Sequence, residues 1–484
     1  MSKKLNELTK EQLIELIEKS NLNKKYGLIW EDDKNKELFL DELNLNSPLL
    51  KNIINKNVSN NQSQPHVFIE GENLFALHAL GLSYKNSIDV IYIDPPFNTG
   101  NDFRYNDQFI DPEDGYRHSK WLNFMHNRLK VAKLLLKETG IILVHIDDNE
   151  SAQLKLLLDD VFGEKNFRSS IIWSYRTGGA PSKRDVFAKK HDTIYFYSKN
   201  PDKFFFRKLK QKIVYEKKFF GDMPMDEEGN YYAEVNLRDS IEGEISLMKD
   251  GKSYKDINVK PVINVSSERV EKFPTQKPKG LMKYLFEILV PNNGIVLDFF
   301  AGSGTTGQAV LELNNEDGGN RKFILCTNNE NKIADEVCYP RISKIMGGYQ
   351  NKGGEFIKGL GGNLKYFNII HVLRGKKDSD KKILANNIND LICLKENTFN
   401  KFLVKPDFQI YKSIFLYVVI IHDILSINEV KKELRNLDLP IKIYVFSLGD
   451  DDLEDEFLDI KNIVKIDIFP NPLFKTYTRI IEKL

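Results

Sequence analysis

From Val67 the chain falls into short apolar runs separated by amphipathic stretches: HVFIEG, LFALHAL, IDVIYID, LNFMHNRLKVAKLLLK and GIILVHID. Short apolar runs bounded by turn formers predict buried strands, and longer stretches with apolar positions three or four apart predict helices. Strand, helix, strand, helix, strand is the pattern of an α/β domain with a mostly parallel sheet. The alternation returns as LMKYLFEILV (helix), GIVLDFF (strand), TTGQAVLEL (helix) and KFILCTN (strand). Between the two halves, residues 173–272 are richer in aromatic, charged and β-branched side chains and lose the alternation. An insertion between halves of one sheet is the economical reading.

After the glycine-rich residues 347–362, KYFNII, IFLYVVII, IKIYVFSL and IVKIDIF predict strands, while NEVKKELRNL and FKTYTRIIEKL predict helices of a smaller α/β domain. Upstream, residues 8–19 have a helical pattern with Thr9 as N-cap and Gln12 three positions on, as in a capping box. The polar stretch KNIINKNVSNNQSQP, 51–65, predicts a loop. The expected units are an N-terminal helical and linker segment (1–64), a catalytic half (65–172), an inserted recognition domain (173–272), a cofactor half (273–367) and a C-terminal α/β domain (368–484).

Composition narrows the class without choosing it. The 484 residues hold 70 Lys plus Arg against 69 Asp plus Glu, a net charge of +1, so any case for nucleic acid must be local. Three cysteines, Cys326, Cys338 and Cys393, are too few and too scattered for a disulfide framework or a zinc cluster, and fit packing in a reducing cytoplasm. The N-terminus is charged throughout and the most apolar run, 414–424, is too short to span a bilayer. A soluble cytoplasmic protein without membrane contact is expected. The acidic GDDDLEDEF, 449–457, predicts a solvated loop.

Two motifs carry chemistry. In IYIDPPFNTG, 91–100, an acid and two prolines end a strand, where open α/β sheets bind their ligands. The prolines remove two backbone donors, so Asp94 and the carbonyls of Pro95 and Pro96 are left as acceptors beside the flat face of Phe97. Those parts suit an exocyclic amine on a planar ring; a plain strand-ending turn would use the same residues. In VLDFFAGSGTTG, 296–307, Asp298 ends a strand and glycines open a helix, allowing close approach to the backbone and to free N–H groups. The loop is neither the G-x-G-x-x-G fingerprint nor a P-loop, since no Lys follows its glycines.

Together the two motifs, with Thr275-Gln276-Lys277-Pro278 before the second, closely resemble the S-adenosylmethionine-dependent DNA amino-methyltransferases. The order, catalytic tetrapeptide first and cofactor loop after a long insertion, is that of the permuted β class. GYRHSKWLNFMHNRLK (115–130) and IDDNE (146–150) look like the Mod subunit of type III restriction-modification systems. The resemblance covers about residues 25–367. It implies a Rossmann-like methyltransferase sheet, S-adenosylmethionine as cofactor, no metal, and double-stranded DNA as substrate. It further implies a homodimer and a separate restriction subunit.

By the same resemblance, Asp94 and the Pro95 carbonyl hold the two amine hydrogens of a target base and Phe97 stacks on that base after flipping. Asp298, Phe299, Phe300, Ala301, Gly302, Gly304 and Thr305 line the methionine end of the cofactor, with Gln276, Lys277 and Pro278 beside them. Glu72 stands where the family usually has Asp, and Asn328 is the candidate for the ribose. Asp in the first position of the tetrapeptide favours adenine N6; cytosine N4 enzymes more often have Ser there.

For DNA, residues 199–218 carry eight basic side chains against Asp202 and Glu216, a local charge of +6, interleaved with aromatics. Arg176, Lys183, Arg184, Lys189 and Lys190 precede them on a loop-like stretch, and with Arg207 and Lys208 they are the candidate phosphate contacts. A solvated surface with an apolar underside would look the same. His145, Asp147 and Asp148 read as packing and loop-shaping residues. Glu429 and Lys431 do not read as a nuclease metal site, because Ile427, Val430, Leu434 and Leu437 share helical spacing. No Walker-type loop occurs, so the chain is not itself a translocating motor.

Overall fold

The computed structural model describes residues 37–60, 64–100, 104–105, 108–111, 113–175, 187–219, 221–261, 276–350, 354–373, 383–385, 387–447 and 453–469, with positions 9, 10 and 30. The expected helix at FKTYTRIIEKL, most of that at 8–19, Thr275 and residues 449–452 of the acidic run lie outside the described residues; in the rest of that run Glu454, Asp455 and Glu456 are exposed and Leu453 and Phe457 are buried.

Helix α1 (Leu38–Leu45) leads into strand β1 (Asn46–Asn52), and β2 (His66–Glu70), helix α2 (Asn73–Ser83), β3 (Ile88–Ile93), α3 (Arg117–Leu135), β4 (Leu136–Ile146) and α4 (Ser151–Phe162) follow. Strands β5 (Phe167–Ser174) and β6 (His191–Ser198) come next. Then β7 (Lys210–Tyr215), β8 (Tyr231–Asn236), β9 (Ser240–Ile241), β10 (Glu244–Lys249) and β11 (Lys252–Asn258) complete the middle of the chain. The second half holds α5 (Lys279–Leu289), β12 (Ile295–Asp298), α6 (Thr305–Asp317), β13 (Lys322–Thr327), α7 (Tyr339–Gly347) and β14 (Leu364–Leu373).

One ten-stranded sheet has the order β1–β14–β2–β13–β12–β3–β4–β6–β5–β9. From β14 to β4 neighbouring strands are parallel. Parallel neighbours need crossovers, and here helices supply them. Apolar residues of α2, α3 and α4 cover one face, and those of α5, α6 and α7 cover the other. Because both faces are covered, the strands read as continuous apolar runs, and β3 is buried at all six residues. Helix α2 is buried from Asn73 to Gly81, which explains why it has no polar face in sequence. Strands β12 and β13 lie between β2 and β3, so β2 and β3, consecutive in the chain, are not neighbours in the sheet. The two halves of the sequence meet where β12 pairs with β3, Val296 against Val90 and Leu297 against Ile91. Asp89 fastens this junction, accepting from the Ile295 amide and from Lys137, each at 2.8 Å.

Three boundaries differ from the sequence reading. Strand β1 pairs antiparallel with β14, so residues before 65 belong to the central sheet; only four of its seven residues are buried, too short a run to stand out among Asn and Lys. Strand β14 itself crosses the expected boundary at 367. Strand β6 and the end of β5 also join the central sheet rather than an inserted domain, β6 lying antiparallel between β4 and β5. An antiparallel edge needs no helical crossover, so the α/β alternation stops before the sheet does. The separate insertion is the four-stranded sheet β8–β7–β10–β11. It is seated on α5: Trp173 donates to the Val259 carbonyl at 2.8 Å, and Lys255 and Tyr254 reach the buried Glu287. A Cβ on Gly280 would lie 1.7 Å from the Asn258 carbonyl oxygen, so this approach requires glycine.

The C-terminal unit packs helix α8 (Asn389–Glu396) against α2 and carries a five-stranded sheet of β15 (Asn400–Val404), β16 (Phe408–Lys412), β17 (Tyr417–Ile421), β18 (Ile441–Phe446) and β19 (Ile463–Phe469) in chain order. Helix α9 (Ile427–Leu434) buries Ile427, Val430 and Leu434, the spacing expected of it, and its Glu429 pairs with Lys405 at 2.7 Å. Cys326, Cys338 and Cys393 are all free and buried. Among the described residues no helix is long and apolar enough to cross a membrane.

Candidate active site

The chain leaves β3 at Asp94 and turns through Pro95 and Pro96 to Phe97. The turn is held from α3: the indole of the fully buried Trp121 donates to the Pro96 carbonyl at 2.8 Å. Asn98, at φ +59°, donates to Glu150 Oε1 at 2.6 Å and to the Arg117 carbonyl at 3.3 Å. Burial raises the Glu150 carboxyl, and His118 Nδ1 lies 2.7 Å from the same oxygen. Asp94 Oδ1 is buried and has no hydrogen bond. The Lys277 ammonium is 3.1 Å away but outside hydrogen-bonding angles, so the contact is one of charge alone.

Beneath Phe97 lies a buried relay. The His145 ring stacks on Phe97, centroids 6.2 Å apart and planes 17° off parallel, with Trp173 edge-on at 5.7 Å. Tyr92 Oη is 3.1 Å from His145 Nδ1, and His145 Nε2 is 3.0 Å from Asp192 Oδ2. Burial, then the Lys277 charge, lower the His145 pKa and keep the ring neutral. Burial pushes the Asp192 carboxyl up, but the hydrogen bond from His145 and the nearby cations outweigh it and bring it to about 2. Burial also holds the Tyr92 phenol far above its usual range. One protonation state then satisfies all three: Tyr92 donates to Nδ1, and neutral His145 donates from Nε2 to ionised Asp192.

Asp298 ends the neighbouring strand β12. Thr306 donates to its Oδ2 at 2.6 Å and the Phe300 amide to its Oδ1 at 3.0 Å. Burial lifts its carboxyl to about 7, the two hydrogen bonds oppose the rise, and the charge of Asp94 adds to it. The loop after it is tightly tied: the Ala301 amide donates to Cys326 O at 3.1 Å and the Gly304 amide to Ala301 O at 2.7 Å. Gly304 has φ +79° and caps α6; a Cβ there would meet Cys338 Sγ at 3.0 Å. Arg341 from α7 reaches the Ser303 carbonyl and the hydroxyls of Ser303 and Thr305 at 3.0–3.2 Å. Thr305 in turn donates to the Lys277 carbonyl at 3.2 Å, so the residues before α5 and the glycine loop form one wall.

Glu72 lies across the loop. Its Oε1 accepts from Arg128 at 2.5 Å, and Arg128, fully buried, also binds Glu37 and Asn73. Asn73 donates to the Phe299 carbonyl at 3.0 Å, which links α2 to the glycine loop. Phe299 and Ala301 are buried, and the half-buried Phe300 ring sits 5.9 Å from Phe124. Asn328 is exposed past the end of β13, its side chain accepting from the Glu330 amide at 3.4 Å.

Asp94, Phe97, Lys277, Asp298, Thr305 and Glu72 therefore converge at the β3–β12 junction, while the basic candidates divide. Arg176, Lys183 and Arg184 lie outside the described residues. Lys189 pairs with Asp147 at 3.1 Å, and the Lys190 carbonyl accepts from the Tyr175 amide. Arg207 is committed to the Glu287 carbonyl and Asn292, whereas Lys208 is exposed. In the basic run, Lys199, Lys210 and Lys212 also bond within the protein, and Lys203, Lys217 and Lys218 are exposed with Lys208. Sequence reasoning missed Trp121, Asn98, Glu150, Arg341 and Arg128. Their partners lie far away in the chain and leave no periodic signal, although Asn98 lies in IYIDPPFNTG, Glu150 in IDDNE, and Trp121 and Arg128 in residues 115–130.

Residues 88–337, slightly over half of the chain, match the family described as DNA methylase. The chain belongs to the DNA methylase family. Within it, the chain is 27% identical over 390 residues to the StyLTI Mod subunit of a type III restriction-modification enzyme from Salmonella typhimurium, covering 61% of this chain and 58% of that one. It is 28% identical over 393 residues to the type II methyltransferase M.KpnI of Klebsiella pneumoniae, covering 66% of this chain and 90% of that one. A probable type III HindVI Mod subunit of Haemophilus influenzae is 43% identical over 150 residues, 30% of this chain and 19% of that one. This DNA methylase thus spans little more than half the length of the Salmonella subunit it matches.

Proposed function

We propose that the chain is a sequence-specific DNA methyltransferase that uses S-adenosylmethionine to methylate N6 of adenine, as the modification part of a restriction-modification system. The single observation carrying the reading is the state of Asp94: a buried carboxylate oxygen without a hydrogen bond, at the head of the turn that carries the Pro95 carbonyl and the Phe97 ring. A buried carboxylate oxygen that accepts no hydrogen bond is costly, and the charge of Lys277 offsets that only in part, so a donor brought by a ligand is favoured there.

The residues fit the cofactor. Asp298 at the end of β12 offers negative potential to a cation, and Gly304, at φ +79°, turns the glycine loop into the N-terminus of α6. S-adenosylmethionine, when bound, supplies an electrophilic methyl group on a sulfonium. Asp298 and residues 299–305 would hold it, with Glu72 across the loop. The chain's own work lies on the base. Asp94 Oδ1 and the Pro95 carbonyl take the two hydrogens of the amine and aim its lone pair, and Phe97, backed by His145, stacks on the ring. As the N–C bond forms, the nitrogen gains positive charge, which the Asp94 carboxylate stabilises; the surplus amine proton leaves through Asp94 to solvent. Alignment supplies much of the remaining rate. Phosphate contact falls to the exposed Lys203, Lys208, Lys217 and Lys218 with Arg176, Lys183 and Arg184. A homodimer and a separate restriction subunit are part of the same proposal.

Expression of the chain alone with plasmid DNA, followed by digestion to nucleosides and single-molecule mapping of modified bases, tests it. The expected product is N6-methyladenine at one sequence context. N4-methylcytosine alone would assign the chain to the cytosine branch, and DNA binding without any modified base would make it a recognition subunit.

A further inference from the structure

We propose that Lys277 is a displaceable counter-ion that occupies the place of the target amine, and that an incoming base must evict its ammonium from between Asp94 and Phe97. The inference rests on the reading of this site as one that grips an exocyclic amine. Lys277 was expected, with Gln276 and Pro278, beside the cofactor. Only its backbone carbonyl meets the glycine loop, through Thr305. Its side chain runs the other way: Nζ lies 3.1 Å from Asp94 Oδ1 and 4.9 Å from the centroid of the Phe97 ring, with 14% of the side chain exposed. An acceptor and an aromatic face are the two features offered to an aminated base, and an ammonium answers both, by charge and by cation–π attraction.

The contact is built to be broken. The ammonium meets Asp94 outside hydrogen-bonding angles and leaves Oδ1 unsatisfied. The backbone of Lys277 is fixed, between the Thr305 hydroxyl and an α5 whose Gly280 is wedged against the Asn258 carbonyl. Only the flexible four-carbon stem has to move. While it is in place, the cation pairs with Asp94, whose charge bears on the neighbouring Asp298. Eviction transfers that role to the amine, whose nitrogen becomes positive as it is methylated.

The test compares wild type, Lys277→Met and Lys277→Arg in steady-state transfer of labelled methyl to a duplex carrying the mapped site, with cofactor affinity by calorimetry as the control for folding. Removing a partly buried ion-pair partner predicts a KM for DNA about fivefold lower in Lys277→Met, a larger change than in kcat. It also predicts brighter 2-aminopurine fluorescence at the target position. Arginine, with its planar fork, should hold Asp94 more firmly and raise KM. A higher KM in Lys277→Met would mean that the lysine contacts DNA. A lower kcat at constant KM would mean that it positions Asp94, and no change in either would make it a bystander; each overturns the proposal. A wild type that transfers no label to DNA would instead refute the functional reading itself.

Discussion

Two aspartates end neighbouring parallel strands at the junction of the two halves, and the fold treats them in opposite ways. Asp298 is buried with both oxygens engaged, by Thr306 and the Phe300 amide. Asp94 has one buried oxygen with no hydrogen bond, faced by the Lys277 cation. Identical chemistry at the same end of one sheet thus serves two purposes. The satisfied carboxylate shapes the loop that opens α6, and the unsatisfied one is an acceptor available to substrate. Burial separates them in the same sense as hydrogen bonding: Asp298 is 3% exposed, whereas the Asp94 side chain keeps 22% of its surface open.

The sharpest way to break this contrast is Asp94→Ala. It removes the acceptor together with its ion pair to Lys277. Methyl transfer should fall by about 10³-fold, the scale for losing a charge-stabilising group at a reacting centre. Cofactor affinity, measured by calorimetry, should stay within about threefold, because Asp94 holds no part of the glycine loop. Comparable losses in both would place the two acids in one structural role and dissolve the distinction.

Asp298 should reveal itself through pH. Its folded-state carboxyl is raised to about 7, above the ordinary carboxylate value that the unfolded chain shows, so the folded state holds this proton more tightly. The stability it contributes is full below about pH 4 and is lost as pH rises towards 7. Asp298→Asn removes that dependence. Urea unfolding should show the variant gaining on wild type by roughly 2–4 kcal/mol between pH 4 and 7, with a flat difference above. A difference that does not vary with pH would mean that Asp298 is ionised throughout, like an exposed acid. The same raised carboxyl predicts that a cationic cofactor binds more tightly as pH approaches 7 from below.

The sheet was legible because its strands are apolar on both faces and its crossovers are amphipathic, and both patterns are local. Where one of those conditions lapses, legibility lapses too. Strand β1 has four buried residues in a polar surround, and β5 and β6 pair antiparallel at the edge, so neither announced its place in the sheet. The acids, prolines and glycines of the site could be read because each acts through its own backbone or a neighbour's. The direction of a long side chain could not. Lys277 was placed by its motif beside the cofactor, whereas its ammonium lies against Asp94. Half of the basic run 199–218 reads as a phosphate surface until Lys199, Arg207, Lys210 and Lys212 are found bonded to partners as distant as Glu138 and Glu287. Likewise, His145 looked like packing, and it does pack, yet it does so under Phe97 in a relay with Tyr92 and Asp192 that joins three strands.

The smallest expected effect tests whether the two acids are also supported independently. Trp121 steadies the Asp94 turn through the Pro96 carbonyl, and Arg341 steadies the Asp298 loop through Ser303 and Thr305. Trp121→Phe keeps an aromatic ring in the core and deletes one donor. Leaving that carbonyl unpaired costs about 1–2 kcal/mol, so kcat should fall about tenfold, with cofactor affinity unchanged. Arg341→Lys keeps the charge and loses the forked geometry, so it should weaken cofactor binding by a similar factor while sparing kcat at saturating cofactor. Steady-state kinetics with each substrate varied in turn separates the two. If either variant moves both constants together, the loop and the turn are one mechanical unit joined through the Thr305–Lys277 hydrogen bond, and the division of labour between Asp94 and Asp298 ends at the carboxylates themselves.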